Sequence, residues 1–207
     1  MSRILLTYFS ATLRQEDVML VSPGNWLNDQ VILFYFEYLT NNYRRDDCLL
    51  IDPCTAFVLL IEDDLEDLQD SLNQLDFSRK KFVIFPVNDH SDRGTRGGSH
   101  WTLLVIDIQV GTAYYYDGMN GSGKNKSNAL DILEKFSAFL RIDVPNLEVI
   151  RIKYPQNNSC DCGVYVLMIA EQVYRELDAR LTQQDRINPG EALELRDKIA
   201  KLIRSLM

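Results

Sequence analysis

The feature that most constrains the fold is an almost unbroken apolar run, Gly163–Ala170, which directly follows the sequence Cys-Asp-Cys. Apolar residues without alternation over two turns predict a helix that is buried on most sides. Cys162 would then lie at the N-terminus of that helix, where unpaired N–H groups and the helix dipole favour an anion such as a thiolate. A cysteine at this place can equally be a small apolar residue of the core, and the run alone does not separate the two alternatives.

The length and the composition of the chain allow one large hydrophobic core. The chain has 207 residues, of which 46% are hydrophobic, and we expect a single domain over residues 1–207. The net charge of −8 disfavours nucleic acid as a partner, because a duplex binder needs a positive face. The start of the chain carries no signal-peptide pattern, and no segment approaches the ~20 apolar residues that cross a bilayer. We therefore expect an intracellular monomer, in the cytoplasm and/or the nucleus and away from membranes, whose four cysteines stay reduced.

Strand-like and helical patterns alternate along the chain. The strand-like segments are KFVIFPV, WTLLVIDI, TAYYYD and LEVIRIKY. Helical patterns lie before, between and after these segments, which favours an α+β domain with a central sheet flanked by helices. The helices are predicted after a cap at Asn28 or Asp29, at Leu65, Leu68, Leu72 and Leu75, after a cap at Ser127 or Asn128, and from Asn188-Pro189 onwards.

A predicted hairpin brings a histidine close to a carboxylate. The segments WTLLVIDI and TAYYYD are joined by a short connection containing Gly111, so they should pair antiparallel. His100 stands just before the first strand and Asp117 at the end of the second. A carboxylate that accepts one ring N–H leaves the other ring nitrogen free to act as a base towards a thiol. The alternative is a half-buried polar histidine beside an aspartate that merely starts a turn.

Two further segments could complete a site around Cys162. Gln156 lies far enough upstream to fold back over the thiol, and its amide together with the Cys162 N–H could stabilise an oxyanion. Without these neighbours it would be read as a solvated loop residue. The Gly-rich segment Asn88–His100 is predicted to be a long loop, and we hypothesise that its part Asn88–Ser99 orders when substrate binds.

Four motifs, in this order along the chain, resemble the Ulp/SENP cysteine proteases that process ubiquitin-like proteins. They are NWLND, GGSHW, YYYDG and PQNNSCDCGVYV. The likeness runs from about Leu13 through the Cys162 helix and is greatest to the deneddylase branch of the family. It implies a permuted papain-like fold in which His100, Asp117 and Cys162 are catalytic and Gln156 contributes to the oxyanion hole. It implies no cofactor and no metal.

The resemblance also implies how substrate binds. The Gly-Gly tail of a ubiquitin-like modifier, most plausibly Nedd, would lie in a narrow tunnel between Trp26 and Trp101, the two tryptophans of the chain. Each could instead be a packing residue. Asp29 matches an acid that contacts the modifier in the family, and plain helix capping is the equal alternative for it.

Two positions depart from the family pattern. Cys160 stands where relatives usually carry an aromatic residue, which puts a second thiol near Cys162. A structural disulfide between residues 160 and 162 would be strained, and reversible oxidation of this pair is a weaker hypothesis. Gly118 replaces a small polar residue and could loosen the corner at Asp117.

Other functions remain open from the sequence. The same scaffold could serve a desumoylase, a deubiquitinase or an acyltransferase, or an inactive module that only binds a ubiquitin-like protein. A zinc site made of Cys160, Cys162, His90 and His100 is a further alternative, although the spacings match no finger pattern.

Overall fold

The computed structural model describes residues 3–64, 68–69, 72–95, 97–121, 123–144, 146–181 and 184–207. The strands are β1 (Ile4–Tyr8), β2 (Ala11–Arg14), β3 (Cys48–Leu50), β4 (Phe82–Asn88), β5 (Trp101–Asp107), β6 (Thr112–Tyr116) and β7 (Asn146–Ile150). The helices are α1 (Gln15–Leu20), α2 (Asp29–Tyr43), α3 (Pro53–Ile61), α4 (Lys124–Leu140), α5 (Cys162–Glu176) and α6 (Pro189–Leu206), and a 3₁₀ turn spans Gln184–Arg186.

A five-stranded sheet in the order β3-β4-β5-β6-β7 forms the centre of the molecule. The three middle strands pair antiparallel, and the two outer strands each pair parallel with their neighbour. Strands β5 and β6 are buried along nearly their whole length, which explains their continuous apolar sequences. The predicted α+β class, with a central sheet flanked by helices, is confirmed. The strands β1 and β2 form a separate hairpin.

Each face of the sheet carries its own core. On one face α2, α5 and α6 pack together, and on the other face the side chains of α3 and α4 cover the strands. Helix α5 is buried from Cys162 to Ala170 and becomes exposed only at Arg175 and Glu176, as the apolar run predicts. The nucleophile candidate is therefore held by the most deeply buried helix of the fold.

Helix α4 begins earlier than predicted. It starts at Lys124 after Gly123, whereas the sequence suggested a cap at Ser127 or Asn128. The cause is tertiary: the Asn128 amide donates to the backbone carbonyl of Asn88 in β4 (2.8 Å), so this side chain faces the sheet and not a helix end.

The other helix and strand boundaries lie closer to their predicted positions. Asn28 is the cap of α2, since its Oδ1 accepts from Val31 N–H (3.1 Å), and Asp29 is the first helical residue. Strand β7 ends at Ile150, four residues before the predicted end of LEVIRIKY. The helix predicted around Leu65 falls partly outside the described residues, although Leu68 and Leu72 are buried as expected. The described part of the chain contains no helix that is both long and apolar enough to span a membrane.

The burial of α5 sets a first prediction. Leu167 is fully buried in the core beneath the sheet, whereas Leu193 on α6 is 57% exposed. We expect Leu167→Ala to lower the free energy of unfolding by about 2–5 kcal/mol, because it removes packed atoms and leaves a cavity. The matched control, Leu193→Ala, should change it by no more than about 0.5 kcal/mol. Urea denaturation measures both, and equal effects would contradict the assignment of α5 to the core.

Candidate active site

The β5–β6 hairpin brings His100 and Asp117 together. Leu103 pairs with Tyr116, so the residue before β5 and the residue after β6 are diagonal neighbours at the open end of the hairpin. The Nε2 atom of His100 lies 2.8 Å from Oδ1 of Asp117, and the Cys162 side chain is near enough to the ring to raise its pKa. The sequence-predicted thiol, imidazole and carboxylate thus lie in one line of contacts.

The Asp117 carboxylate is fixed from three sides. It is buried, and it accepts hydrogen bonds from the backbone N–H groups of Met119 (2.9 Å) and Gly121 (3.1 Å) as well as from the His100 ring. Burial raises the pKa of this carboxyl group, but these hydrogen bonds outweigh burial and bring the pKa below its usual value. Asp117 therefore stays ionised and can orient His100.

The His100 ring is held in its charged form. Burial lowers its pKa, but the hydrogen bonds with Asp117 and Cys162 and the negative charge of these groups outweigh burial and raise the pKa to about 10. The folded protein therefore binds a proton here at neutral pH, where an unperturbed histidine with a pKa near 6.5 is mostly neutral. An imidazolium next to a thiol favours the thiolate, which is the nucleophilic form of cysteine.

Cys162 is the first residue of α5 and is only 2% exposed. The N–H groups of the first helical turn have no acceptor within the helix and remain available to an anion. Gly163 allows the cleft walls to approach closely: a Cβ there would lie 3.0 Å from Cβ of Leu27 and 3.5 Å from Cδ1 of Trp101. The glycine after the thiol therefore lets the side chains of Leu27 and Trp101 pack on the helix start.

Gln156 lies beside the hairpin corner, and its predicted position over the Cys162 thiol stays a prediction. Its backbone N–H donates to the carbonyl of Gly118 (2.8 Å), and its side-chain Nε2 donates to the carbonyl of Asn158 (2.7 Å). Its Oε1 atom is buried and has no hydrogen-bond partner among the described residues. A Cβ on Gly118 would lie 2.9 Å from this Oε1, so the glycine makes room for Gln156. The corner at Asp117 is closed by hydrogen bonds and is not loosened.

A cleft of about 1050 Å³ lies over the thiol. Five of the sequence-predicted site residues line it, namely Trp26, Asp29, His100, Trp101 and Cys162. We call residues 21–28 the Trp26 loop and residues 155–161 the nucleophile loop. The Trp26 Nε1 atom donates to the Ser159 carbonyl in the nucleophile loop (2.7 Å), and the Trp101 Nε1 atom donates to the Leu27 carbonyl (3.0 Å). Both indoles are thus fixed to the backbone at the cleft.

Asp29 is exposed at the rim of this cleft. The capping alternative for it is not realised, because Asn28 caps α2. Its carboxylate is consequently free of that structural task and is accessible to a positively charged group.

The second thiol and the second histidine have their own surroundings. Cys160 is half-buried and reduced, and its Sγ lies 3.3 Å from Oδ1 of Asn158. His90 stacks on Phe57 with the ring planes 8° apart, and its Nε2 lies 2.8 Å from the Thr95 carbonyl oxygen. No group of three or more metal-binding side chains occurs in the part of the chain that the structure describes, so the zinc alternative gains no support.

Sequence reasoning missed a buried asparagine that fixes His100. The Asn125 amide donates to the carbonyls of Val87 (3.1 Å) and His100 (3.0 Å), which joins α4 to the ends of β4 and β5. The Asp89 carboxylate also accepts from the Ser99 and His100 N–H groups at 2.7 and 3.3 Å. The signal in the sequence was weak, because an asparagine in the first turn of a helix usually indicates a cap.

Comparison with known proteins agrees with this geometry. Residues 25–207 match the family model described as the Ulp1 protease family, C-terminal catalytic domain. Sentrin-specific protease 8 of Rattus norvegicus is 35% identical over 185 residues, which cover 87% of this chain and 83% of the relative. NEDD8-specific protease 1 of Arabidopsis thaliana is 29% identical over 218 residues, which cover 98% of this chain and 93% of the relative.

A solved structure shares the fold. The C-terminal Ulp1 protease domain, in complex with Smt3, the yeast orthologue of SUMO, superposes with a TM-score of 0.76 at 20% identity. The match covers 99% of this chain and 88% of that one.

The raised pKa of His100 can be measured directly. We expect the His100 ring resonances to titrate near pH 10 in an NMR experiment, and the midpoint to fall well below that value in Asp117→Asn, because the amide removes the negative charge that favours the imidazolium. The His90 resonances serve as the reference in the same spectrum. An unchanged midpoint in the variant would contradict the role of Asp117.

Proposed function

The chain belongs to the Ulp1 protease family and is a cysteine protease, and we propose that it cleaves after the C-terminal Gly-Gly of a ubiquitin-like modifier, with Nedd as the preferred modifier. The reaction would mature precursors and release the modifier from conjugates. The observation that carries the proposal is the line of contacts from Cys162 through His100 to Asp117, which opens into a cleft lined by both tryptophans.

In the acylation step, the Cys162 thiolate attacks the carbonyl carbon of the last modifier glycine. A C–S bond forms and the carbonyl oxygen becomes an oxyanion. The intermediate then collapses, the C–N bond breaks, and the proton of the His100 imidazolium goes to the leaving amine. Asp117 keeps the ring oriented through both events and stabilises its charge.

The oxyanion needs donors on the side of the thiol that the nucleophile loop covers. The Cys162 backbone N–H is one, since the first helical turn offers no internal acceptor. The Gln156 amide is the second: one of its two N–H groups bonds to the Asn158 carbonyl, and the other can bond to the oxyanion. The tie between the Gln156 backbone and Gly118 holds this amide beside the catalytic carboxylate corner.

In the deacylation step, His100 removes a proton from a water molecule, and the water oxygen attacks the thioester carbon. The C–S bond breaks, the thiolate returns, and the modifier leaves with a free carboxylate. No cofactor or metal takes part in either step of this proposal.

The cleft walls would select the tail of the substrate. Flat aromatic rings of Trp26 and Trp101 can accept glycine residues and exclude residues with side chains, so the tail is recognised by what does not fit. The exposed Asp29 carboxylate at the rim suits an arginine of the modifier. The preference for Nedd itself is supported by the relatives that carry NEDD8-specific names, of which one matches along 98% of this chain.

We further propose that the protein acts as a single-domain monomer inside the cell, in the cytoplasm and/or the nucleus, and that it binds no nucleic acid. The net charge of −8 supports the last point, because a nucleic-acid partner needs a positive surface.

The assignment of the nucleophile is tested with aminomethylcoumarin-tagged modifiers. We expect hydrolysis of tagged Nedd to fall by at least about 10⁴-fold in Cys162→Ala, because the reaction loses its only covalent route. Cys160→Ala is the matched control and should retain activity within about threefold of the native protein. A vinyl-sulfone derivative of the modifier should label the native protein and Cys160→Ala but not Cys162→Ala.

Two outcomes of this experiment would change the conclusion. Faster hydrolysis of tagged SUMO or tagged ubiquitin than of tagged Nedd would make the protein a desumoylase or a deubiquitinase on the same fold. Binding of all three without hydrolysis or labelling would leave an inactive binding module.

The loop between β4 and β5 offers a test of substrate-linked ordering. Arg93 in this loop pairs with Glu62 (3.0 Å) and is more than half exposed, so trypsin can reach it in the free protein. We expect covalently bound modifier to slow cleavage after Arg93 at least about fivefold, because the loop borders the cleft. Cleavage after the exposed Arg180 provides the comparison. Equal rates at Arg93 with and without modifier would refute the hypothesis.

A further inference from the structure

Arg196 on α6 is the least exposed charged residue in the described part of the chain, with 2% of its surface accessible. It belongs to none of the four motifs and lies on a helix that follows all of them. A guanidinium withdrawn from water is costly unless a carboxylate and hydrogen-bond acceptors surround it. The position of this side chain therefore indicates that several groups are arranged around it.

The acceptors of Arg196 come from both loops that border the thiol. The Nε and Nη2 atoms both donate to Oδ1 of Asp161, at 2.9 and 2.7 Å. The remaining bonds go to backbone carbonyls of the end of α1, the Trp26 loop and the nucleophile loop: Leu20 (3.2 Å), Val21 (3.2 Å), Ser22 (3.3 Å), Asn25 (2.7 Å) and Cys160 (3.2 Å).

These bonds join the two loops behind the cleft. At the front, the loops are joined by the bond from Trp26 Nε1 to the Ser159 carbonyl, and Trp26 is 48% exposed. Water competes for an exposed bond, whereas bonds inside the protein are not weakened in this way. Arg196 consequently supplies the buried connection between the Trp26 loop and the nucleophile loop.

Arg196 also holds the side chain of Asp161 at the start of α5. An aspartate at the N-cap normally accepts a hydrogen bond from an N–H group of the first turn. Asp161 is the N-cap residue of α5, yet its side chain makes no such bond. Its Oδ1 is taken by Arg196 and its Oδ2 accepts from Nδ2 of Asn158 (2.7 Å). The N–H groups beside Cys162 thus stay free for the thiolate and for an oxyanion.

We propose that Arg196 is a positioning residue for the reaction of Cys162, which fixes the Trp26 loop against the nucleophile loop and holds the Asp161 carboxylate away from the N-terminus of α5. The effect on modifier cleavage rests on the proposed function, whereas the effect on the thiol does not. Loss of the guanidinium frees a carboxylate one residue from the thiol, where it can cap the helix and oppose a second negative charge.

Three variants separate the two tasks. Arg196→Met removes the charge and the donors. Arg196→Met combined with Asp161→Asn also removes the carboxylate, so no buried charge is left unpaired. Arg204→Met, at an exposed position of the same helix, is the matched control. Thermal melting followed by circular dichroism establishes that each variant is folded.

Two readouts are needed. The first is the rate at which iodoacetamide alkylates Cys162 at pH 7, followed by mass spectrometry of the Cys162 peptide, and it requires no modifier. The second is the separate measurement of kcat and KM with tagged Nedd.

We expect Arg196→Met to slow alkylation of Cys162 about tenfold, because the freed carboxylate disfavours the thiolate. The double variant should recover to within about threefold of the native rate, since the carboxylate is gone. Its KM should stay raised at least about fivefold, because the Trp26 loop has still lost its donors. Arg204→Met should match the native protein in both readouts.

Several results would contradict the proposal. A folded Arg196→Met protein with native alkylation, or a double variant that is no faster than Arg196→Met, overturns the proposal for Asp161. A double variant with native KM overturns it for the Trp26 loop. Should Arg196→Met fail to fold, the double variant decides alone, because slow alkylation in it contradicts the proposal. If the variants show the expected alkylation rates but the native protein hydrolyses no modifier, the proposed function is refuted and the role of Arg196 at the thiol stands.

Discussion

The hydrogen bond between His100 and Asp117 depends on a strand register, and the chemistry of the site depends on that bond. The β5–β6 pairing places the two residues together at the open end of a tight hairpin, where their side chains meet at 2.8 Å. A slip of one strand by one residue against the other would put the two side chains on opposite faces of the sheet. The register is held by strands buried on both faces, so the geometry of the candidate site is stabilised by the same packing that stabilises the fold.

The thiol is supplied from the opposite side of this contact. Helix α5 is anchored in the core beneath the sheet, and its first residue reaches the imidazole. The cleft walls differ from this rigid centre, because the Trp26 loop and the nucleophile loop contain no regular secondary structure. Their positions depend on a small number of polar contacts. These are the bond from the Trp26 indole to the Ser159 carbonyl, the bonds of the buried Arg196 guanidinium, and the bond from the Gln156 N–H to the Gly118 carbonyl. Catalytic precision is thus divided between apolar packing and a small set of buried donors.

Two departures from local capping preference share one cause. Capping residues were expected at Ser127 or Asn128, but α4 starts at Lys124 because the Asn125 and Asn128 amides bond to strand carbonyls. In the same way Asp161 stands at a cap position and bonds to Arg196, not to the helix N–H groups. Local preference is worth about 1 kcal/mol at such positions. Leaving a buried polar group without its hydrogen bond costs more free energy than losing a cap, and only the folded structure shows where such a group lies.

The sequence by itself determined the α+β class, the buried helix after Cys162, and the hairpin that pairs His100 with Asp117, since each follows from local periodicity or from the short connection at Gly111. The position of Gln156 upstream of Cys162 made it a further candidate, and the motif resemblance added Trp26, Trp101 and Asp29. The tertiary structure alone decided that α5 faces this hairpin, that Asn125 holds the His100 backbone, and that Arg196 reaches both loops from the last helix. Contacts between residues that are far apart in the chain leave no periodic signal, because they depend on how whole elements pack and not on the spacing of neighbours.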